Sequence, residues 1–421
     1  MPDRTDTKER YEKTALTAMR VARATGYIDW SMQPSLFKHY PDALYSYDLD
    51  AHESLKLVAL SRCVTSERQV GGKPYLQLNT PSAGNLHPLE LYVQIRGLEG
   101  IISGIYHVDA QRNRIVLIKE VERDGLEATL GMEGRFKGVL FVLSCVPFRS
   151  AWKYGERSWR YCFLDAGHQL GSIQAAAAAC GQYVTLLSGF DAECLDAAMG
   201  FDAQEQCVAV AMIGETTSRA CDPIKRPLMR VQPTDYYEED ARVSLPFGRE
   251  ALGGSALSEM PESLGGLEEL ISTRRSARSF DGTPLAEENL EWLLHFVSQP
   301  PQPLVCHTLV LRGEVLEPGL YTGGRLVRGG NFTNEITTLL VDQPFVSTSS
   351  LVLIVGASAF GAGTLITAGA FAHILHLLSH ARRLGFSPVG AFLDRKLQHF
   401  PETDDYMLYA LVIGNNPRQT T

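Results

Sequence analysis

The chain repeats itself, and this limits its possible folds more than any other feature. Residues 92–106 (YVQIRGLEGIISGIY) and 308–321 (TLVLRGEVLEPGLY) are each a β-rich run ending in Arg-Gly, then a short turn, then Gly-apolar-Tyr. The downstream order repeats too. The apolar strand VLFVLSCV (139–146) is answered by LVLIVGAS (351–358), and the helical run 164–181 by 366–385, each closing on a Gly suited to a C-cap. SGFD (188–191) is answered by GAFLD (390–394), and CVAVAMIGE (207–215) by YMLYALVIGN (406–415). A fixed order of matched elements is the signature of a repeated supersecondary unit. Two copies of one α+β unit are expected.

Length agrees, since 421 residues suit two domains of about 200 residues better than one core. The expected division is a first domain at 1–215, a Pro-, Gly- and Ser-rich linker or arm at 216–262, and a second domain at 263–421. The linker either wraps one half around the other or is a disordered tether. With 45% hydrophobic and 21% charged residues, the composition is that of a soluble globular protein. A net charge of −9 argues against general nucleic-acid binding, which needs a basic footprint.

The eight cysteines have no C-x-x-C spacing and several lie in apolar runs, so they read as buried thiols of a reducing compartment. The charged N-terminus lacks an apolar signal core, and a cytoplasmic location is expected. No Asp, Glu, Lys or Arg occurs between Asp342 and Arg382, yet Gly, Ser and His interrupt the stretch. It is expected to form a buried strand (351–355) and a buried helix (365–384) rather than a membrane span. His87, His168 and His376 have no metal-ligand spacing and read as satisfied polar or core residues, so no metal is expected.

Three motifs could carry chemistry. In TPSAGNLHPLELYV (80–93), Pro81 and Gly84 shape a tight turn, small Ser82 and Ala83 admit a flat ligand, and Asn85 offers an amide. Read alone, its default reading is an ordinary loop entering a strand. In ISTRRSARSF (271–280), Arg274, Ser276 and Arg278 alternate, so extended backbone would put two guanidiniums and a hydroxyl on one side, suited to a phosphate dianion. A solvated basic run has the same composition. PFRSAWKYGERSWRYCFLDAGHQ (147–169) sets Lys153 and Tyr154 between a strand end and a helix start, as an acid–base pair or as part of an ion-paired surface helix.

DWSMQPSLFKHY (29–40), PSAGNLHPLELYV, GIYHVD (104–109) and KYGERSWRYCFLDAGHQ together resemble the nitroreductase superfamily, nearest its SagB-type azoline oxidases and dehydrogenases. The resemblance covers residues 10–215 well and 265–415 more generally. It implies an α+β fold of two α/β sandwich domains, each a mostly antiparallel sheet flanked by helices, forming an intrachain pseudo-dimer. It implies FMN as cofactor. By resemblance, the phosphate clamp falls on Arg274, Ser276 and Arg278, and the flavin-facing turn on Pro81, Ser82, Ala83 and Asn85. The Gly loop whose N–H groups face flavin N5 falls on Gly390 and Ala391, and the pair implicated in azoline dehydrogenation on Lys153 and Tyr154.

The two copies have complementary losses. Aligning the Arg-Gly strands without gaps puts Asn85 over Pro301, which has neither side-chain amide nor N–H. The first copy has QPSLFKHY where the second has RRSARSF, and only Lys38 keeps a cation there. One composite FMN site per chain is therefore expected. The expected activity is dehydrogenation of an azoline or similar heterocycle in natural-product biosynthesis, by hydride transfer to flavin N5. The substrate would be a small molecule, a carrier-bound heterocycle or a peptide, and further homo-oligomerisation is allowed. The alternatives are an NAD(P)H-dependent reductase of nitro, quinone or other conjugated acceptors, and a flavin-free scaffold that binds a partner.

Overall fold

The computed structural model describes residues 4–24, 28–238, 257, 260 and 265–417. Among the described residues, seventeen strands follow in chain order. They are β1 (Ser46–Asp48), β2 (Val64–Val70), β3 (Lys73–Leu78), β4 (Leu89–Arg96), β5 (Gly104–Asp109), β6 (Arg114–Glu120), β7 (Asp124–Gly125), β8 (Phe136–Cys145) and β9 (Thr185–Leu187). Then come β10 (Gln206–Thr216), β11 (Asp222–Pro223), β12 (Leu304–Val310), β13 (Gly319–Thr322), β14 (Arg325–Gly329), β15 (Leu351–Ala357), β16 (Leu384–Val389) and β17 (Tyr406–Asn415). The chain divides into two compact units. The larger holds residues 29–254 and 260–273, the smaller residues 1–28, 255–259 and 274–421.

The larger unit is built on a seven-stranded sheet of order β1-β6-β5-β4-β8-β10-β9, antiparallel throughout. The smaller is built on a six-stranded antiparallel sheet of order β14-β13-β12-β15-β17-β16. Apart from the extra edge strand β1, the two orders are the same, element for element along the repeat. Central strands are apolar on both faces, as every residue of β15 is buried, because helices cover the sheets.

The register corrects one alignment. Ile95 pairs with Gly104 and Val139, as Val310 pairs with Gly319 and Leu351. Ile95 therefore corresponds to Val310, one residue away from the match of the Arg-Gly dipeptides. Carried back along the strand, this offset puts Asn85 over Pro300 rather than Pro301. Either residue is proline, so the second copy still lacks the amide.

Each copy has one long core helix. Nineteen of the 22 residues of Ser158–Ala179 are buried, and sixteen of the 20 in Ala362–Ala381. A helix apolar all round belongs inside a protein or a membrane. Among the described residues Ala362–Ala381 is the one helix long and apolar enough to cross a bilayer, and 89% of its most apolar window is buried. No disulfide joins the cysteines. Cys145, Cys162 and Cys207 are buried, whereas Cys194 is exposed, so the apolar runs enclose fewer thiols than the sequence suggested.

Residues 216–238 are not a loose tether. β11 pairs with β7. Ser35 N–H donates to Asp235 Oδ1 at 2.8 Å, and Asp235 N–H donates to Ser35 Oγ at 3.0 Å. Phe148 packs edge-on against Tyr236 and Tyr237. The acidic patch at 238–240 extends beyond the described residues.

Candidate functional site

The turn 80–87 leaves β3 and enters β4. Gly84, Asn85 and His87 all have positive φ (65°, 58° and 45°), a rare run outside glycine. Local bonds hold it there. The Asn85 amide donates to Leu76 O at 2.7 Å, Asn85 N–H to Ser82 O at 3.0 Å, and His87 N–H to Ser82 Oγ at 3.0 Å. One hydrogen of the Asn85 amide is thus committed to the fold, and Asn85 shapes the turn as well as presenting a polar group. Burial, reinforced by Arg62, lowers the His87 imidazole to about 3, so it is neutral. It stacks on Phe37 at 5.5 Å, in keeping with a core role.

Below the turn lies Asp165, on the long helix and 6% exposed. Burial pushes its carboxyl up to about 7, against hydrogen bonds from the Ser82 hydroxyl and the Ala83 N–H. Its Oδ2 has no hydrogen-bond partner. The sequence places Asp165 in the same motif as Lys153 and Tyr154, beside a strand end and a helix start, but gives no sign of its burial.

Above the turn are Lys153 and Tyr154, which end the short helix Phe148–Tyr154. A Cβ built on Gly84 would overlap the Tyr154 hydroxyl and come within 3.1 Å of Lys153 Nζ. Both polar heads therefore converge on the bare face of the turn. Burial lowers the Lys153 pKa, because a half-buried amine loses hydration of its charged form. Its ammonium lies 4.7 Å from the Trp30 ring centroid and 5.0 Å from that of Tyr154, and Tyr154 meets Tyr161 edge-on at 4.9 Å. Replacing Gly84 by Ala is expected to cost about 1–2 kcal/mol from the left-handed backbone and to push the Tyr154 ring aside. A thermal melt and a crystal structure of the variant check both, and an unmoved Tyr154 would count against the contact.

Arg149 ties these parts together. Fully buried, it donates to Ser35 O, His87 O and Pro233 O at 3.0, 3.0 and 2.7 Å, and pairs with Glu90 at 2.7 Å. Although burial opposes it, Arg149 and His107 hold the Glu90 carboxyl well below the usual carboxylate range. Lys38, the cation left in the first copy, is not available as a clamp. It is buried and pairs with Glu205 at 2.6 Å, while Tyr92 and Ser144 also donate to Glu205.

In the smaller unit, the Arg-x-Ser-x-Arg segment runs beside β16, with Ala277 N–H donating to Phe386 O at 2.9 Å. The two arginines have different surroundings. Arg274 is buried with Nη1 3.4 Å from His376 Nδ1, Ser276 is half-buried, and exposed Arg278 lies over the Phe345 ring at 5.8 Å. His376 itself stacks on Phe386 and binds Arg275 O. Gly390 and Ala391, both half-buried, follow β16. Phe392 behind them is fully buried, and Leu393 N–H donates to Leu339 O at 2.8 Å, which fixes the loop. Two guanidiniums with a hydroxyl on one segment are a donor set that suits a phosphate dianion, and the turn of small residues in the larger unit is a surface that suits a flat ring.

Comparison with known proteins bears on the fold and the family. Residues 55–215 match the family model described as the nitroreductase family. A protein of Methanocaldococcus jannaschii designated a nitroreductase is 29% identical over 104 residues, 24% of this chain and 52% of that protein. The trifolitoxin-processing protein TfxB of Rhizobium leguminosarum bv. trifolii is 33% identical over 103 residues, 22% of this chain and 27% of TfxB. The chain thus spans about half the length of the first of these relatives and about a quarter of the second. A crystal structure from Anabaena variabilis, also designated a nitroreductase, shares the fold over 98% of this chain and 99% of its own, with a TM-score of 0.80 at 22% identity. Residues 55–215 thus match the nitroreductase family, and the chain as a whole shares the nitroreductase fold.

Proposed function

We propose that this protein is an FMN-dependent oxidoreductase that dehydrogenates an azoline or similar heterocycle in natural-product biosynthesis. The observation that carries the reading is the convergence of Tyr154 Oη and Lys153 Nζ on Gly84, at the open face of a turn made from small residues. The partial likeness to a trifolitoxin-processing protein supports a peptide or peptide-derived substrate. The cofactor supplies two-electron acceptance. Everything else falls to the chain's own residues.

Arg274, Ser276 and Arg278 would hold the cofactor phosphate, and Pro81, Ser82, Ala83 and Asn85 would bear on its ring. Backbone N–H groups at Gly390 and Ala391 would offer donors to negative charge, an oxyanion-hole type of effect. Tyr154 and Lys153 take a proton from the ring carbon or nitrogen of the substrate, and the lowered Lys153 pKa raises the share of amine able to accept it. One FMN per chain, drawing on both copies of the repeat, follows from their complementary losses. A reductase of conjugated acceptors is the second reading, favoured by the designation of the two nitroreductase relatives.

The purified protein should be yellow and release one FMN per chain on denaturation. Arg274→Ala combined with Arg278→Ala should leave it colourless, each lost charge-assisted bond costing about 1.5–3 kcal/mol. Two flavins per chain would end the composite-site proposal. A colourless wild type that cannot be reconstituted would instead favour a binding scaffold.

A further inference from the structure

We infer that Trp30 is a positioning residue that holds the Lys153 amine over the Gly84 turn with the face of its indole. The inference deepens the proposed function, and rests on it, by giving one member of the acid–base pair its support. Lys153 Nζ lies 4.7 Å from the Trp30 ring centroid and 3.1 Å from where a Cβ on Gly84 would stand. The Tyr154 ring, with its centroid 5.0 Å away, closes a second side. One ammonium is thus bracketed by two aromatic faces at the point where both polar heads meet. Trp30, Gly84, Lys153 and Tyr154 all belong to the larger unit.

The ring is itself held from two directions. Trp30 opens a single 3₁₀ turn, Trp30–Met32, capped by Asp29. Ser31 N–H and its hydroxyl donate to Asp29 Oδ1 at 3.0 and 2.6 Å, and the Tyr236 hydroxyl donates to Met32 O. Trp152, next to Lys153 in the chain, meets the indole edge-on at 5.7 Å. Yet Trp30 is 51% exposed. A tryptophan kept for core packing is normally well buried. This one adds little to the core, and what it offers is a face beside the amine.

The kind of partner matters. Lysine carries its charge on a flexible stem, which needs a hold if Nζ is to stay in one place. A carboxylate would supply that hold but would also favour the charged form. Among the described residues no carboxylate pairs with Lys153. An indole face attracts an ammonium by its quadrupole alone, so it places the amine without committing it to its proton. A group that accepts a proton from substrate needs that combination.

The test is a ring-current shift read on the full chain, with wild type and variants at the same flavin content. The lysines are reductively dimethylated with ¹³C-formaldehyde, which keeps their charge, and the Lys153 signal is assigned by its absence in Lys153→Arg. In wild type the Lys153 methyl protons should lie upfield of the other lysine methyls, because they sit against two rings. Trp30→Leu should lose a large part of that displacement, and Trp30→Phe should keep most of it. With a simple thiazoline carboxamide as probe, Trp30→Leu should lower kcat about tenfold and leave KM within about two-fold, because misplacement acts on geometry rather than uniform binding. Trp30→Phe should restore most of the rate. A Lys153 signal unchanged in Trp30→Leu, or a Trp30→Phe protein no better than Trp30→Leu in both readouts, overturns the inference. So does a Trp30→Leu protein that circular dichroism shows to be unfolded, since Trp30 would then be structural. A wild type whose upfield signal is lost in Trp30→Leu, but which does not oxidise the thiazoline, would sink the proposed function and leave the Trp30 contact standing.

Discussion

Alanine at Lys153 or Tyr154 should cut turnover by about 10²–10⁴-fold while the protein stays yellow and folded. The two heads meet over the turn rather than filling the core, and both side chains are half-buried. Truncating them therefore removes proton-transfer groups and little packing. Lys153→Ala should also change the pH profile. Burial lowers the Lys153 pKa, so wild-type activity should rise with pH along a limb centred below the usual lysine value. The variant should lack that limb. Absorbance at the flavin band and steady-state rates on the same samples separate the outcomes. Loss of colour together with activity would make the pair structural and refute an acid–base role.

The second large effect concerns stability. Lys38→Met should destabilise the larger unit by about 3–5 kcal/mol, the usual cost of stranding one member of a buried ion pair. Glu205 would then keep only the Tyr92 and Ser144 hydroxyls. Burial and the Glu205 charge push the Tyr92 phenol pKa up, so it remains a donor, but a phenol does not neutralise a carboxylate. The double variant Lys38→Met, Glu205→Leu should recover much of the loss, leaving about 1–3 kcal/mol for the orphaned hydroxyls. Urea unfolding of the three proteins decides it. A single variant costing under about 1 kcal/mol would mean that solvent reaches the pair.

How far the sequence reveals this architecture depends on the kind of interaction. The repeat was legible because apolar strands and a Gly-ended helix recur in the same order, and periodicity is written directly in composition. Register was not: the Arg-Gly dipeptides match by eye, yet cross-strand pairing sets Ile95 over Val310. The turn at 80–87 was legible through its small residues, but the three positive φ values at Gly84, Asn85 and His87 depend on bonds to Leu76 and Ser82. Lys38 looked like a leftover cation because its partner Glu205 lies 167 residues away. Asp165 was visible as part of the Lys153–Tyr154 motif, but its burial was not, because that depends on packing around the long helix.

The helix Arg4–Thr14 and the segment after it belong with the smaller unit, whose remaining described elements begin at Arg274. Leu16 N–H donates to Asp394 at 2.7 Å across 378 residues, and Tyr11 sits between Phe360 and Tyr406. On the ribosome these first residues emerge before any of their partners exist. The smaller unit cannot close until its last strand has been made, whereas the larger one has nearly all of its chain beforehand. Synthesis therefore imposes an order on assembly, in which the early segment waits for partners made hundreds of residues later.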